Sequence, residues 1–354
     1  MKVSVFIKHS YMKTITKGKN MNNYKKIGLT ALAGSLAAIS AQAAEMTVSG
    51  ATMLTYTSED SSEVTGNPFG MKTNLAFTAS GEVNGYNVSY MQTSVDQFAG
   101  MSSARLSIDM GDMGTLAFDQ GSGSGLATID DKTPTAAEEI WDGLDTTGSA
   151  GALGLVGAAG NSGVFNYINT FGGVTFNGAA RKGSATKNSD GSSSAAGQGA
   201  WDFALTTDGS SMGVDGLAIG LGYGEKENGS QTGTTLGDEI HSTVFANYSV
   251  GPVTFGVQKS YIEANKLGTD DEETTAWGLA FNVNENLSLS YGERDVVFKG
   301  AGPSADVTEK GDGIAVAYTM GSMKIAGNRN TVSDNDGTAG SNDEMTEIAV
   351  SFAF

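Results

Sequence analysis

The chain has no cysteine, only 4 prolines and few charged residues, 17% of 354. Without cysteine, a disulfide framework, a cysteine zinc site and a thiol nucleophile are excluded. Glycine is abundant, with 50 residues, but it follows no Gly-X-Y repeat, which excludes collagen. Acidic residues outnumber basic ones 39 to 21, so the basic patches that replace counterions on nucleic acid are lacking. We therefore predict no nucleic-acid partner.

Residues 21–43 have the three parts of a secretory signal peptide. Two lysines precede a 13-residue apolar stretch, and the A-x-A site at 41–43 predicts cleavage after residue 43. The stretch is shorter than the about 20 residues that a spanning helix needs, so a membrane anchor is the weaker alternative. We predict that Met21 is the true start and that 1–20 are an upstream extension of the gene.

The segment that follows, 44–354, is strongly acidic and has no long apolar run. Residues 1–43 contain seven lysines and no acid, so the remaining chain has 14 basic and 39 acidic side chains, a net charge of −25. No later apolar run approaches the length of a transmembrane helix. We predict that 44–354 form one domain.

Apolar and polar residues alternate along this domain with a period of two. At the end of the chain, Ile348, Val350, Phe352 and Phe354 alternate with small or polar residues. Such alternation indicates half-buried strands. The pattern predicts sixteen strands, which start near Glu45, Met71, Tyr86, Ser102, Thr115, Ser162, Val174, Ala200, Leu217, Glu239, Val253, Thr274, Leu287, Gly311, Met323 and Asp343.

The connections and the two faces favour a membrane barrel over a soluble β-sandwich. Short turns alternate with longer polar loops, as expected of up-and-down antiparallel strands with one tight rim. The small, polar face is too polar for an enclosed core. Aromatic residues lie near strand ends on the apolar face, as in interfacial girdles: Tyr86, Tyr90, Tyr248, Tyr291, Tyr318 and Phe354. We predict an all-β transmembrane antiparallel barrel of about 16 strands.

Two segments and the last residue carry a family resemblance. After the signal peptide the first strand reads Val48-Ser49-Gly50, and 161–174 read NSGVFNYINTFGGV, like the strand pair after the long third loop of porins. The closing strand ends on Phe354, as outer-membrane barrels do. The chain resembles a Gram-negative general porin of the sixteen-stranded trimeric type, although the third loop lacks the usual Pro-Glu-Phe-Gly-Gly tip.

This resemblance implies an outer-membrane location and a water-filled channel for passive diffusion of small hydrophilic solutes and ions. It also implies a homotrimer in contact with outer-membrane lipid and lipopolysaccharide. Phe354 would be the signal that the barrel-assembly machinery reads. A substrate-specific porin with a saturable solute site, and a structural or adhesin barrel with a plugged lumen, are the alternatives. No cofactor is implied.

The longest connection, 119–161, is the predicted constriction loop. The gap exceeds the about 12–15 residues beyond which a loop is usually functional or disordered. In the family that the chain resembles, the third loop folds into the barrel and narrows it. The loop also carries apolar residues that could pack on a wall: Ile140, Trp141, Leu144, Leu153, Leu155 and Val156. A solvated acidic loop outside the pore is the alternative.

The constriction loop is predicted to contain a short helix and a cluster of acids. Thr133-Pro134 is a plausible N-cap and first helical residue, which predicts a helix from Thr135 to Leu144. The candidate acids lie on this segment or beside it: Asp130, Asp131, Glu138, Glu139, Asp142 and Asp145.

Alternation places the basic residues on the lumen side. Arg105 lies on the strand face opposite Leu106 and Ile108. The other basic candidates also lie on the face of their strand opposite the apolar residues: Lys72, Arg181, Arg294 and Lys324. A charge facing mid-membrane lipid would cost about 2–4 kcal/mol. Carboxylates on the loop opposite these cations would set a transverse field across the pore. The alternative for each residue is a structural ion pair or a rim charge.

The net negative charge of 44–354 predicts modest cation selectivity that weakens as the salt concentration rises. The one histidine after residue 43, His241, has no clear Ser or Asp partner by spacing, so we predict no catalytic residue. The sequence Asp334-Asn335-Asp336-Gly337 resembles a calcium loop only weakly, because Gly is misplaced for the EF-hand pattern. We predict no metal site.

Overall fold

A computed structural model describes residues 45–59, 66–94, 102–144, 154–160, 162–183, 199–228, 237–266, 268–300 and 306–354. The predicted upstream extension and signal peptide, at 1–43, lie outside the described residues. Among the residues described, no helix is long and apolar enough to cross a membrane.

The described chain from residue 45 onward is a closed antiparallel barrel of sixteen strands, in which each strand pairs with its neighbours in sequence and β1 pairs with β16. The strands are β1 Glu45–Glu59, β2 Phe69–Val83, β3 Tyr86–Ser94, β4 Ser103–Asp109, β5 Thr115–Gln120, β6 Ser162–Phe171, β7 Val174–Arg181, β8 Ala200–Asp208, β9 Leu217–Lys226, β10 Glu239–Val250, β11 Val253–Glu263, β12 Asp271–Asn282, β13 Leu287–Lys299, β14 Val307–Met320, β15 Met323–Ser333 and β16 Asp343–Ala353. The all-β fold class and the strand number predicted from alternation are confirmed.

The two faces of each strand differ in chemistry as the period of two requires. On β16, Ile348 and Phe352 are exposed on the outer surface, whereas Met345 and Ala349 are buried on the lumen side. The outer surface is apolar over most of its height, as a membrane-facing wall must be.

The barrel closes where β1 pairs with β16, and the last residue of the chain extends that pairing. The backbone amide of Phe354 donates to the carbonyl of Gly50 on β1, and the amide of Gly50 donates to the carbonyl of Phe354, each at 2.9 Å. Closure leaves no unpaired strand edge, which a wall in contact with lipid requires. The Phe354 side chain itself points outward and is exposed.

Two strands begin three or four residues earlier than alternation predicts. β12 begins at Asp271 rather than near Thr274, and β14 begins at Val307 rather than near Gly311. Charged residues replace apolar ones on the outer face of these segments, so their pattern ceases to look like a strand. Ion pairs between neighbouring strands take over there, for example Lys259 with Glu273 at 2.5 Å.

Candidate functional site

The third long connection joins β5 to β6 across residues 121–161, and its described parts, 121–144 and 154–160, lie inside the barrel against its wall. We call it loop 3. Near its start, Leu126 and Ile129 pack with Val156, near its end, and with Ala204 and Phe245 of the wall. Burial of this apolar cluster holds both ends of the loop on β8 and β10.

Further along, loop 3 packs on β15 and β16. Leu144 contacts Val332 and Met345 in a second buried cluster. Trp141 lies over the Arg294 guanidinium, 5.0 Å from the ring centroid. Most of the apolar loop residues named from the sequence lie in the described part, but Leu153 lies outside it.

Lumen side chains hydrogen-bond the backbone at both ends of loop 3. The Asp202 carboxylate on β8 accepts the amide of Leu126 at 3.0 Å and that of Ala159 at 2.7 Å. Three further wall groups accept single amides: Asn177 from Gly125, Glu272 from Gly154 and His241 Nδ1 from Gly157. Buried backbone groups need such partners, so the wall substitutes for secondary structure here.

The middle of loop 3 is bound in the same way by amide and hydroxyl side chains. Gln258 on β11 accepts the amide of Lys132 at 2.6 Å and donates to the carbonyls of Ile129 and Asp130, both at 2.9 Å. Ser290 on β13 accepts the amide of Ala136 at 2.9 Å.

The predicted helix from Thr135 to Leu144 is wrong, because this segment consists of bends and turns. Its described backbone bonds are short-range, from the amide of Asp142 to the carbonyl of Glu139 and from Leu144 to Trp141. Asn330 on β15 donates to the carbonyls of Glu139 and Asp142. The wall therefore takes backbone groups that a helix would have paired within itself.

The structure places the three arginines named from the sequence where loop 3 meets the wall. Arg105 on β4 pairs with the fully buried Asp119 at 2.9 Å and donates to Ser124 at 2.6 Å. Arg294 is 3% exposed and lies 3.5 Å from Glu309, beneath Trp141. Arg181 lies beside Gly160, at the end of the loop.

The two lysines named from the sequence interact instead with acids of the middle of loop 3. Glu138 is within electrostatic range of both Lys72 on β2 and Lys324 on β15, and Asp142 is within range of Lys72. These four charges come together from the loop and from β2 and β15 of the wall.

One further acid joins this group and was missed in the sequence. Glu347 on β16 is within electrostatic range of Glu138, Asp142 and Lys72, and it accepts a hydrogen bond from Thr57 at 3.1 Å. Glu347 lies on the lumen face of β16, next to the outward-facing Ile348, so the alternation that located the basic residues would also have located this acid. We call Glu138, Asp142, Glu347, Lys72 and Lys324 the lumen charge cluster.

Burial shifts the loop 3 acids toward their neutral forms. It raises the pKa of Asp130 to about 6, against a backbone hydrogen bond from Asp131 that lowers it. Burial is also the main cause of the raised pKa of Asp131, Glu138 and Asp142, and repulsion between Glu138 and Asp142 adds to the rise for Glu138. Asp145, named from the sequence, lies outside the described residues.

His241 is a wall group of loop 3 and not an exposed side chain. It is 6% exposed, and its Nε2 lies 2.8 Å from Glu239, which also pairs with Lys226 at 2.8 Å. In the described part of the chain, no group of three or more His, Cys, Asp or Glu side chains is arranged to hold a metal ion.

Comparison with known proteins identifies the family of the chain. Its fold is shared by OmpT of Vibrio cholerae in its trimer form, with 12% sequence identity, a TM-score of 0.64, and coverage of 88% of this chain and 100% of that one. OmpF of Salmonella typhi in complex with daunomycin has 13% identity and a TM-score of 0.58, over 88% of this chain and 98% of that one. A mutant porin of Rh. blastica has 13% identity and a TM-score of 0.54, over 88% of this chain and 100% of that one. None of the curated proteins matches the sequence. The family model for Gram-negative porins matches residues 28–354, so the chain belongs to the Gram-negative porin family and is an outer-membrane porin.

Proposed function

We propose that this porin is a general, water-filled diffusion channel for small hydrophilic solutes and ions, with a weak preference for cations. The observation that carries the proposal is the lumen charge cluster. Carboxylates of loop 3 lie within electrostatic range of Lys72 and Lys324 of the wall, so that a solute passing the cluster would meet the field between charges of both signs. A field of this kind orients dipolar solutes and does not require a specific solute site.

The preference for cations rests on the balance of charge. Arg105 and Arg294 pair with Asp119 and Glu309, and Arg181 lies beside the end of loop 3. In the lumen charge cluster, the three acids Glu138, Asp142 and Glu347 outnumber the two lysines. Net negative charge in a narrow aqueous passage attracts cations, and salt screens the attraction.

Reconstitution in a planar bilayer under a KCl gradient tests the proposal. We expect unitary current steps, a reversal potential of the cation sign, and a permeability ratio that approaches one as the salt concentration rises. Saturable block of the current by one solute would instead indicate a substrate-specific porin. An absence of conductance from correctly folded barrels would indicate a plugged structural or adhesin barrel.

Acidification is expected to weaken the cation preference. A raised carboxyl pKa favours the protonated form. Asp130, Glu138 and Asp142 therefore lose their charge at a higher pH than ordinary carboxylates, whose pKa is about 4. Between pH 7.5 and pH 5 we expect the K⁺ to Cl⁻ permeability ratio to fall roughly twofold, the effect of one or two charges acting across a few ångströms of water.

The double variant Glu138→Gln/Asp142→Asn separates this effect from general titration. It should have a lowered permeability ratio already at pH 7.5 and a weaker dependence on pH. The matched control is Glu225→Gln, because Glu225 lies on the outer face of β9, where Tyr223 donates to it. A reversal potential that is equal at pH 7.5 and pH 5 would contradict the assignment of these acids to the pore.

The remaining parts of the proposal concern assembly and export. We propose a homotrimer, which the trimer form of the Vibrio cholerae protein supports. We also propose that 21–43 are the signal peptide, that outer-membrane lipid and lipopolysaccharide surround the barrel, and that Phe354 is read by the assembly machinery. We propose no enzymatic activity, because His241 is engaged with Glu239 and Gly157 beneath loop 3.

A further inference from the structure

A row of four glycines crosses the inner wall beneath loop 3. The glycines lie on four consecutive strands, β11 to β14, and are direct partners in the strand register. An asparagine is the next register partner at each end, on β10 and on β15. In order around the wall the residues are Asn247, Gly256, Gly278, Gly292, Gly313 and Asn330. We call the four glycines the glycine row.

Loop 3 runs along this row at close contact. The atoms nearest to the space above Gly278 all belong to Pro134, and those above Gly292 and Gly313 include the Ile140 side chain. Pro134 also lies above Gly256. The loop therefore crosses four strands nearly at right angles to their direction.

The two asparagines bind the loop backbone at the ends of the row. Asn247 donates to the carbonyl of Lys132 at 2.7 Å. Asn330 donates to the carbonyls of Glu139 at 3.1 Å and Asp142 at 2.9 Å. The segment between these carbonyls is the part of loop 3 that carries Glu138, a member of the lumen charge cluster.

Space, and not backbone conformation, explains glycine at these four positions. None of them has a positive φ angle. Glycine inside a strand weakens it, and its presence often marks a place where another backbone comes close. A Cβ added at Gly278 would lie 2.7 Å from the Pro134 carbonyl oxygen, and one added at Gly313 would lie 3.1 Å from Ile140 Cβ.

We infer that the glycine row, with Asn247 and Asn330, positions loop 3 and thereby sets the width of the channel. The inference rests on the proposed function and deepens it. Any side chain in the row pushes 132–142 away from the wall into the lumen, so the row acts through the loop and touches no solute itself.

Substitution of Gly278 tests the inference most cleanly, because its nearest neighbours belong to the loop and not to the wall. In the full-length porin, Gly278→Ala and Gly278→Val should lower the unitary conductance in that order, with about a 1.5-fold decrease for valine, because current depends on pore diameter. Hydrogen exchange of the amides in 132–142, measured by mass spectrometry, should become about tenfold faster in the valine variant.

The matched control is Gly311→Ala on β14. Gly311 lies on the same face as Gly313, two residues away, yet a Cβ added there would meet nothing closer than 3.6 Å. This variant should keep the conductance and the exchange rates of the wild-type porin.

The two measurements distinguish failure of this inference from failure of the proposed function. Faster exchange in 132–142 without any conductance in the wild-type protein would refute the channel and leave the positioning role intact. Wild-type exchange and conductance in Gly278→Val would overturn the positioning role. If the valine variant does not assemble, the same comparison between Gly278→Ala and Gly311→Ala decides the question.

Discussion

Replacement of Arg105 by Met is expected to lower the free energy of unfolding of the barrel by about 3 kcal/mol. Asp119 is fully buried, and one of its carboxylate oxygens lies 2.9 Å from the Arg105 guanidinium. Loss of one partner of a buried ion pair costs about 3–5 kcal/mol, because it leaves an uncompensated charge. The lower value applies because Ser122 and Ser124 still donate to Asp119. Urea unfolding of the reconstituted barrel measures the change.

The double variant Arg105→Met/Asp119→Asn identifies the cause. It removes the cation and the buried charge together, and Asn retains the size and an acceptor of Asp. About half of the lost stability should return, because no buried charge remains. A loss below about 0.5 kcal/mol in Arg105→Met, the range of ordinary surface substitutions, would show that Asp119 does not depend on this arginine.

The barrel itself could be predicted from the sequence because a membrane barrel repeats one local rule. Successive side chains of each strand must face lipid and lumen in turn, so the pattern of Ile348, Val350 and Phe352 predicts a strand without knowledge of any partner strand. The same rule indicates the face of every residue on a strand. Closure between Phe354 and Gly50 then follows from the need to pair both edges.

The rule fails where a strand leaves the apolar layer. At the start of β12, Asp271 and Glu273 occupy positions on the outer face that alternation reserves for apolar residues. There the strand is maintained by backbone pairing and by ion pairs such as Lys299 with Glu273 at 3.7 Å. Both depend on the register with neighbouring strands, which a single segment of sequence does not contain.

Parity could place the candidate site residues on a face but could not choose their partners. Arg294 and Lys324 share the lumen face, yet the former lies buried beneath Trp141 while the latter is in range of Glu138. The difference depends on the path of loop 3, which is set by groups far away in sequence. Asn330, for example, is 191 residues from Glu139.

The helix predicted in loop 3 failed for the same reason. Thr133 and Pro134 are good local signals for a helix start, but local preference is a weak prior where tertiary contacts take the backbone groups. Ser290 and Asn330 bind the amide and carbonyl groups of this segment. The glycine row could likewise not be predicted from the sequence, because the four glycines are far apart in the chain and are aligned only by the strand register.

Replacement of Asp202 by Ala is expected to release both ends of loop 3 at once. Asp202 lies on β8, and its two carboxylate oxygens accept the amides of Leu126 and Ala159. These two loop 3 residues are distant in sequence but meet at this one side chain. Each hydrogen bond to a charged group contributes about 1.5–3 kcal/mol. Compared with the wild-type porin, we expect larger fluctuations of the open-channel current and faster hydrogen exchange of the amides both in 125–130 and in 154–160.

Asn177→Ala is the matched control, because the described contacts of Asn177 with loop 3 are at the first end of the loop, where it accepts the amide of Gly125 and donates to the Thr128 hydroxyl. Its exchange should rise in 125–130 alone. The amides at the second end keep all their partners in that variant: Asp202 for Ala159, Glu272 for Gly154 and His241 for Gly157. If Asp202→Ala also changed only the first end, the two ends would be held independently. Coupled release would instead show that a single carboxylate joins them, so that the loop opens as one unit or remains closed.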